Sequence, residues 1–387
     1  MSQLATVDKH TVRQLRHDPN ERPFIVIWEV TRACDLACVH CRAEAVPERH
    51  PLELSTDEGR RLLDDVASFG KPAPLLVLTG GDPFARPDLV DLVAHARGLG
   101  LSVALSPSVT PRLTREVLAD LRAAGAKAVS LSLDGATPAT HDGFRQVDGV
   151  FEATLEAAHW VHELGMRLQI NSTVTSATAP ELPDILTIVD RLDAFLWSLF
   201  FLVGTGRGQQ LRPLDAAGTE DVLHFLVDVS RHVAVKATEA PHYRRVVAQR
   251  RAGGPPPDGA LYRELRARLD ALSPGLRRID RHLRPPMDVN AGRGFVFVSH
   301  VGVVHPSGFL PVSAGSVREQ PLPELYRSSP LLRALRAPDR FGGVCGLCEY
   351  REVCGGSRSR AFAATGDPLA ADPSCVHRPF TSSGARP

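Results

Sequence analysis

The stretch FIVIWEVTRACDLACVHC, residues 24–41, decides the fold and points to the chemistry. Its first seven residues are a run of β-branched and aromatic side chains that stops where a polar, cysteine-rich segment begins, the pattern of a short buried strand. Cys34, Cys38 and Cys41 follow at the spacing C-x3-C-x2-C. Three thiolates on one short loop supply three of the four ligands of a [4Fe–4S] cluster and leave one iron open. An open position is what lets a metal site bind a substrate or cofactor. The same residues leave other readings open: a zinc loop completed by His40, or three unrelated buried cysteines. Zinc sites, however, favour cysteine or histidine residues in paired couples.

Outward from this stretch the apolar runs recur: PLLVLT at 74–79, LSVALS at 101–106, KAVSLSL at 127–133, RLQINSTV at 167–174 and FLWSLFFLV at 195–203. Near-continuous rather than alternating apolar character marks parallel strands covered on both faces. Between them lie amphipathic stretches with helix signals: Ser55 ahead of TDEGRRLLDDVASF, Thr114 ahead of REVLADLRAAG, and VFEATLEAAHWVHELG closing at Gly165. A glycine follows each as a C-cap would. Six strands alternating with helices predict an α/β chain, a partial (β/α)6 TIM-type barrel with fewer strands than the eight of a closed one. Chemistry in such folds sits at the C-terminal strand ends, where the cysteine loop falls.

The 387 residues carry 45 Lys+Arg against 44 Asp+Glu, a net charge of +1. That balance argues against a nucleic-acid binder held by bulk charge. No apolar run reaches the ~18 residues of a membrane span, and MSQLATVDKHTVRQLRHD lacks the apolar core of a signal peptide. A cytoplasmic protein without nucleic-acid or membrane partners is the expectation. Its seven cysteines are odd in number and confined to the two ends of the chain. In a reducing compartment they point to metal or cluster ligation rather than disulfides.

Four of them lie in CGLCEYREVCGGSRSRAFAATGDPLAADPSC: Cys345, Cys348, Cys354 and Cys375, spaced C-x2-C-x5-C-x20-C. Four thiolates close a cluster or a zinc ion completely. The chain divides into an N-terminal arm at 1–22, a barrel core at 23–215, a helical connecting region at 216–293 and a small C-terminal iron–sulfur or zinc domain at 294–387. The last includes a hairpin in GFVFVSHVGVVHPSG, residues 294–308, whose histidines His300 and His305 could be substrate or metal-site neighbours, although a lone histidine is more often a surface residue. The connecting region carries no motif.

The cysteine loop, placed directly after the first strand, resembles the signature of the radical S-adenosylmethionine (radical SAM) superfamily. TGGDP, Thr79, Gly80, Gly81, Asp82 and Pro83, is similar to that family's GGEP motif, with Asp82 in place of Glu. The resemblance implies that it receives the methionine amino group of SAM, its glycines letting backbone carbonyls come close to the ligand. His40 stands where the family usually has an aromatic residue, beside the adenine. Ser132 and Asp134 in LSLDG, and Asn171 in QINSTV, resemble positions that face the SAM ribose, adenine or substrate. Arg145 in HDGFR and Arg207 in GTGRG stand where an arginine could pair with the SAM carboxylate, a task suited to a planar guanidinium.

The four-cysteine segment resembles the C-terminal auxiliary-cluster domain, of SPASM or twitch type, found in radical SAM maturases and tetrapyrrole enzymes. A complete SPASM domain binds two auxiliary clusters. Here the cysteine expected after the hairpin is absent from HVGVVHPSGFLP and Ser357 stands in GGS, so a single auxiliary [4Fe–4S] cluster is expected. CEYREVCGGSRSRAFAATGDPLA is most similar to the radical SAM enzymes that trim tetrapyrrole side chains in the alternative haem and denitrifier haem pathways. The resemblance implies one-electron cleavage of SAM to a 5′-deoxyadenosyl radical that abstracts hydrogen from substrate, with a flavodoxin or ferredoxin as reductant. The substrate it implies is a tetrapyrrole of Fe-coproporphyrin or siroheme type. A ribosomally made peptide is the alternative, and a non-enzymatic zinc or redox-sensing protein the remote one.

Overall fold

The computed structural model describes residues 12–278 and 285–379. Residues 1–11 of the expected arm, 279–284 of the connecting region and 380–387 of the C-terminal domain lie outside them. The expected strands all form: β1 (Ile25–Glu29), β2 (Leu75–Thr79), β3 (Ser102–Leu105), β4 (Ala126–Ser132), β5 (Arg167–Val174) and β6 (Leu196–Phe201). They lie side by side in chain order and parallel. Helices such as Thr56–Ser68, Arg115–Ala124 and Val150–Glu163 make the crossovers. Ser55 caps the first of these reciprocally, accepting from the Glu58 amide at 3.2 Å while its own amide donates to Glu58 Oε2 at 2.8 Å. Such a box stabilises a helix start by about 1 kcal/mol.

The sheet continues beyond those six strands at both edges. β7 (Val235–Thr238) pairs parallel with β6 inside the stretch read as helical, which is a correction to that reading. Four residues with a lysine at the second are too short and too polar to stand out as a strand in sequence. At the opposite edge β8 (Phe295–Val298) pairs parallel with β1. β9 (Val303–His305) and β10 (Gly315–Ser316) follow antiparallel, giving the order β10-β9-β8-β1-β2-β3-β4-β5-β6-β7. The expected hairpin is therefore joined to the barrel sheet itself. β7 and β10 end the order without pairing to each other, so the barrel stays open.

One continuous apolar core runs from Val26 and Trp28 on β1 through Trp197 on β6 to Leu322 and Tyr326 behind the hairpin. No helix among the described residues is long and apolar enough to cross a membrane.

Candidate active site

The C-terminal ends of the strands surround one cavity, and the loop after β1 closes one side of it. Cys34, Cys38 and Cys41 line it with His40, facing Thr79, Gly80 and Gly81 from the end of β2. Ser132 at the end of β4, Asp134 after it, Asn171 on β5 and Arg145 complete the opposite wall. Residues spread over 137 positions of sequence (34 to 171) thus converge because parallel strands in chain order present successive C-terminal ends to one mouth.

The two glycines serve the cysteine loop. A Cβ on Gly81 would stand 2.5 Å from the carbonyl oxygens of both Arg32 and Ala33, and one on Gly80 2.6 Å from that of Thr31. The amides of Gly81 and Asp82 donate to the carbonyls of Thr31 at 2.9 Å and Ala33 at 2.6 Å. The backbone of the β2 turn therefore fastens the backbone of the cysteine loop, a contact that only glycine leaves room for.

Asp82 and Arg207 stand apart from the cavity lining. The Asp82 carboxylate is buried and accepts from the Thr110 hydroxyl at 2.7 Å and the Phe84 amide at 3.1 Å. It shapes the turn, and burial raises its pKa. Arg207 donates from Nε to the Cys38 carbonyl at 2.9 Å and from Nη1 to the Ala45 carbonyl at 3.3 Å, clamping the cysteine loop from outside.

Arg145, in contrast, is buried against the cavity, ion-paired to Asp134 and with Nη1 3.6 Å from Cys38 Sγ. Asp134 Oδ1 accepts from the Thr173 amide at 2.6 Å, and the Asp134 amide donates to His141 Nδ1 at 3.0 Å. Burial alone would raise the Asp134 carboxyl, but Arg145, aided by His40 and His141, holds it below its usual range. Burial pushes His40 and His141 down to about 4, so both rings are neutral near pH 7. The His40 ring stacks on Phe144, with centroids 4.5 Å apart.

The cysteines have the surroundings of cluster ligands. The Leu36 amide donates to Cys34 Sγ at 3.4 Å and the Ala45 amide to Cys41 Sγ at 3.5 Å. Burial raises the Cys34 thiol, with Asp82 and Cys38 adding to the shift and the Ser108 hydroxyl and Leu36 amide opposing it. Donors aimed at sulfur are the usual way a protein settles the charge of a bound cluster.

The C-terminal segment repeats the arrangement. Cys345 Sγ accepts from the Asp372 amide at 3.3 Å, Cys348 Sγ from Tyr350 at 3.4 Å and Cys354 Sγ from Gly356 at 3.5 Å. Burial pushes Cys348 up to about 11 and Cys354 up to about 12. Cys375 raises both further, and Cys345 raises Cys348, so the four thiols share one electrostatic neighbourhood. Arginines hold it: Arg358, fully buried, donates to Cys345 Sγ at 3.6 Å, and Arg244 to the Cys354 carbonyl at 3.4 Å. Glu349 and His377, 2.8 Å apart, bring carboxylate and ring nitrogen within 4.8 Å of Cys348 Sγ and of each other, which spacing alone could not show.

His300 and His305 are corrections, since neither is a surface residue. His300 is buried with Nδ1 2.8 Å from Glu29 Oε1, and His305 Nδ1 meets the Val312 carbonyl at 3.1 Å. The pairing of β8 with β1 brings His300 against Glu29, whereas His305, on β9, is half-buried. Ser357 caps the helix Arg358–Thr365 and donates to Glu239 at 2.7 Å. Ser108, which donates to the Gly81 carbonyl at 2.6 Å and stands 3.5 Å from Cys34 Sγ, escapes sequence reading although it follows β3 just as the cysteines follow β1. Phe309, which also lines the cavity, arrives from the hairpin and has no sequence signal.

The family model described as the radical SAM superfamily matches residues 28–184. An AdoMet-dependent heme synthase of Methanosarcina barkeri is 38% identical over 359 residues, covering 92% of this chain and 97% of that protein. A pre-heme d1 synthase of Dinoroseobacter shibae is 33% identical over 359 residues, covering 91% and 85% respectively. Among solved structures, Streptococcus suis SuiB bound to its precursor peptide SuiA superposes with a TM-score of 0.64 over 92% of this chain and 76% of that one. At 16% identity that likeness speaks for the fold. Cysteine loop, glycine turn and open barrel agree with these matches, and the chain is an enzyme of the radical SAM superfamily, whose members work with a [4Fe–4S] cluster and SAM.

Proposed function

We propose that this enzyme acts on an iron-tetrapyrrole, removing or decarboxylating an acetate or propionate side chain. The observation that carries the substrate is the near full-length similarity to heme-pathway enzymes, 97% of the Methanosarcina barkeri protein being covered. When bound, the cluster and SAM together supply the hydrogen-abstracting radical, and the hard chemistry is theirs. The chain's own residues bind, orient and shield. In this reading Cys34, Cys38 and Cys41 hold the cluster. Carbonyls of Thr79, Gly80 and Gly81 accept from the SAM amino group, with Asp82 shaping their turn. Ser132 and Asn171, neighbours in register across β4 and β5, offer a hydroxyl and an amide to the ribose. Arg145 is the arginine offered to the SAM carboxylate, because it lines the cavity and Arg207 does not.

Cys345, Cys348, Cys354 and Cys375 would hold a fully ligated auxiliary [4Fe–4S] cluster that accepts the electron a substrate radical gives up when carbon dioxide leaves. Residues 23–215 then form the SAM-cleaving unit and 294–387 the auxiliary-cluster unit, joined through 216–293, with a flavodoxin or ferredoxin as electron donor.

Iron-coproporphyrin III deuterated on its propionate side chains tests the reading. Deuterium should move into 5′-deoxyadenosine as the porphyrin loses carbon dioxide. Unlabelled 5′-deoxyadenosine beside intact porphyrin would discard the tetrapyrrole and favour a peptide.

A further inference from the structure

Two cations, Lys236 and Arg360, are not used by the site described above, and neither is part of its cavity lining. Ser132 and Asn171 line the cavity and pair across β4 and β5. The same row continues through Ser198 on β6 to Lys236 on β7, and residues paired across parallel strands share one face. Lys236 therefore projects from the same side of the sheet as the cavity wall. No ion pair or side-chain hydrogen bond joins its ammonium to another described residue, and Glu239 is the charge that acts on it.

The second cation is Arg360, on the helix that follows the four-cysteine segment's Gly-Gly-Ser turn. It is buried, its guanidinium lies 5.6 Å from the centre of the Phe201 ring, and Phe201 lines the cavity. Its Nε has no partner, and Glu239 and Asp372 act on it only through space.

Glu239 links the two cations without neutralising either by contact. Its oxygens accept from the Ser307 hydroxyl at 2.9 Å and the Ser357 hydroxyl at 2.7 Å. Its backbone stands at φ 58°, a left-handed conformation rare outside glycine and one that ordinarily has to be held by its surroundings. The carboxylate is thus fixed between the hairpin and the C-terminal segment while the cations stay unpaired. Arg360 is buried and Lys236 half-buried; holding a cation out of water without a bound anion is costly, and a ligand carboxylate would offset that cost.

We propose that Lys236 and Arg360 form a carboxylate-binding pair that receives an acidic side chain of the substrate on the side of the cavity away from the cysteine loop. The assignment rests on the tetrapyrrole reading, because a molecule edged with several carboxylates needs cations at more than one point. One acid group anchored on the pair leaves another to face the cysteine loop, so the pair is a positioning device for whichever side chain reacts.

Anaerobic absorbance titrations of the reconstituted enzyme with iron-coproporphyrin III and with its tetramethyl ester separate anchoring from folding. Wild type should prefer the free acid. Lys236→Met should weaken binding of the acid by about tenfold to a hundredfold, the range of a hydrogen bond to a charged group, and leave ester binding unchanged. Arg360→Gln should act in the same direction, and Lys236→Arg should restore the preference for the acid. Equal losses for acid and ester, or no loss for either, would overturn the pair. Wild-type enzyme that binds neither porphyrin would overturn the tetrapyrrole reading itself.

Discussion

Replacing Arg145 by Met tests whether the cavity is built on a buried charge. The Arg145 and Asp134 side chains are 9% and 1% exposed, and apart from Arg145 the Asp134 carboxylate has the Thr173 amide at 2.6 Å as its hydrogen-bond donor. Removing the guanidinium strands a carboxylate out of water, which costs about 3–5 kcal/mol. The stranded group escapes by taking a proton. Its pKa in the folded chain would rise above the unfolded value of about 4, so the penalty is full at high pH and fades as pH falls through the raised value. Urea unfolding followed by circular dichroism should therefore show Arg145→Met destabilised most at pH 8 and less at pH 5. Adding Asp134→Asn removes the stranded charge and should recover at least half of the loss, a coupling that only a direct pair produces. A loss below about 1 kcal/mol, independent of pH and additive with Asp134→Asn, would refute the reasoning.

Gly81→Ala should leave the barrel folded yet displace the cysteine loop, since the new methyl meets two backbone carbonyls at 2.5 Å and neither can step aside as a side chain would. Overpacking of this kind costs about 1–3 kcal/mol. Iron analysis and SAM binding should both fall, and unchanged SAM affinity would show that the glycines are not needed. Cys354→Ala should halve the iron content, from about eight to about four per chain, while the SAM-dependent electron paramagnetic resonance change at the first cluster persists. Retention of all the iron would remove Cys354 from the ligand set. His242 is fully buried, and burial pushes it down to about 4 despite the pull of Asp372. A histidine with a lowered folded pKa makes the unfolded chain bind more protons, so stability should rise between about pH 4 and 6.5 by roughly 3 kcal/mol from this group. His242→Gln should flatten that rise in pH-dependent unfolding, and an unchanged slope would contradict the burial argument.

The barrel was legible because each of its first six strands is a run of apolar residues bounded by helix signals, and because the cysteine spacing names its chemistry. Local pattern fails where partners are distant. Lys236 sits on a four-residue strand with no alternation to read, and it matters only because Asn171, Ser198 and Lys236 fall in one row across three strands. His300 looks exposed on a hairpin considered alone, and becomes buried once β8 pairs with β1 across some 270 residues. Arg145 and Arg207 cannot be ranked from sequence, because what separates them is which neighbour each guanidinium finds. The roles of Gly80 and Gly81 follow the same rule: the pair signals close approach, and only the fold shows that the approaching group is the cysteine loop.

The most direct test follows 5′-deoxyadenosine and porphyrin mass together in anaerobically reconstituted, reduced enzyme given SAM and iron-coproporphyrin III, with Cys38→Ala as the control. The account predicts carbon dioxide lost from the porphyrin in step with 5′-deoxyadenosine formed, and neither from the variant. Formation of 5′-deoxyadenosine by Cys38→Ala would contradict the cysteine loop as the seat of SAM cleavage, and an unchanged porphyrin beside abundant 5′-deoxyadenosine from wild type would contradict the substrate.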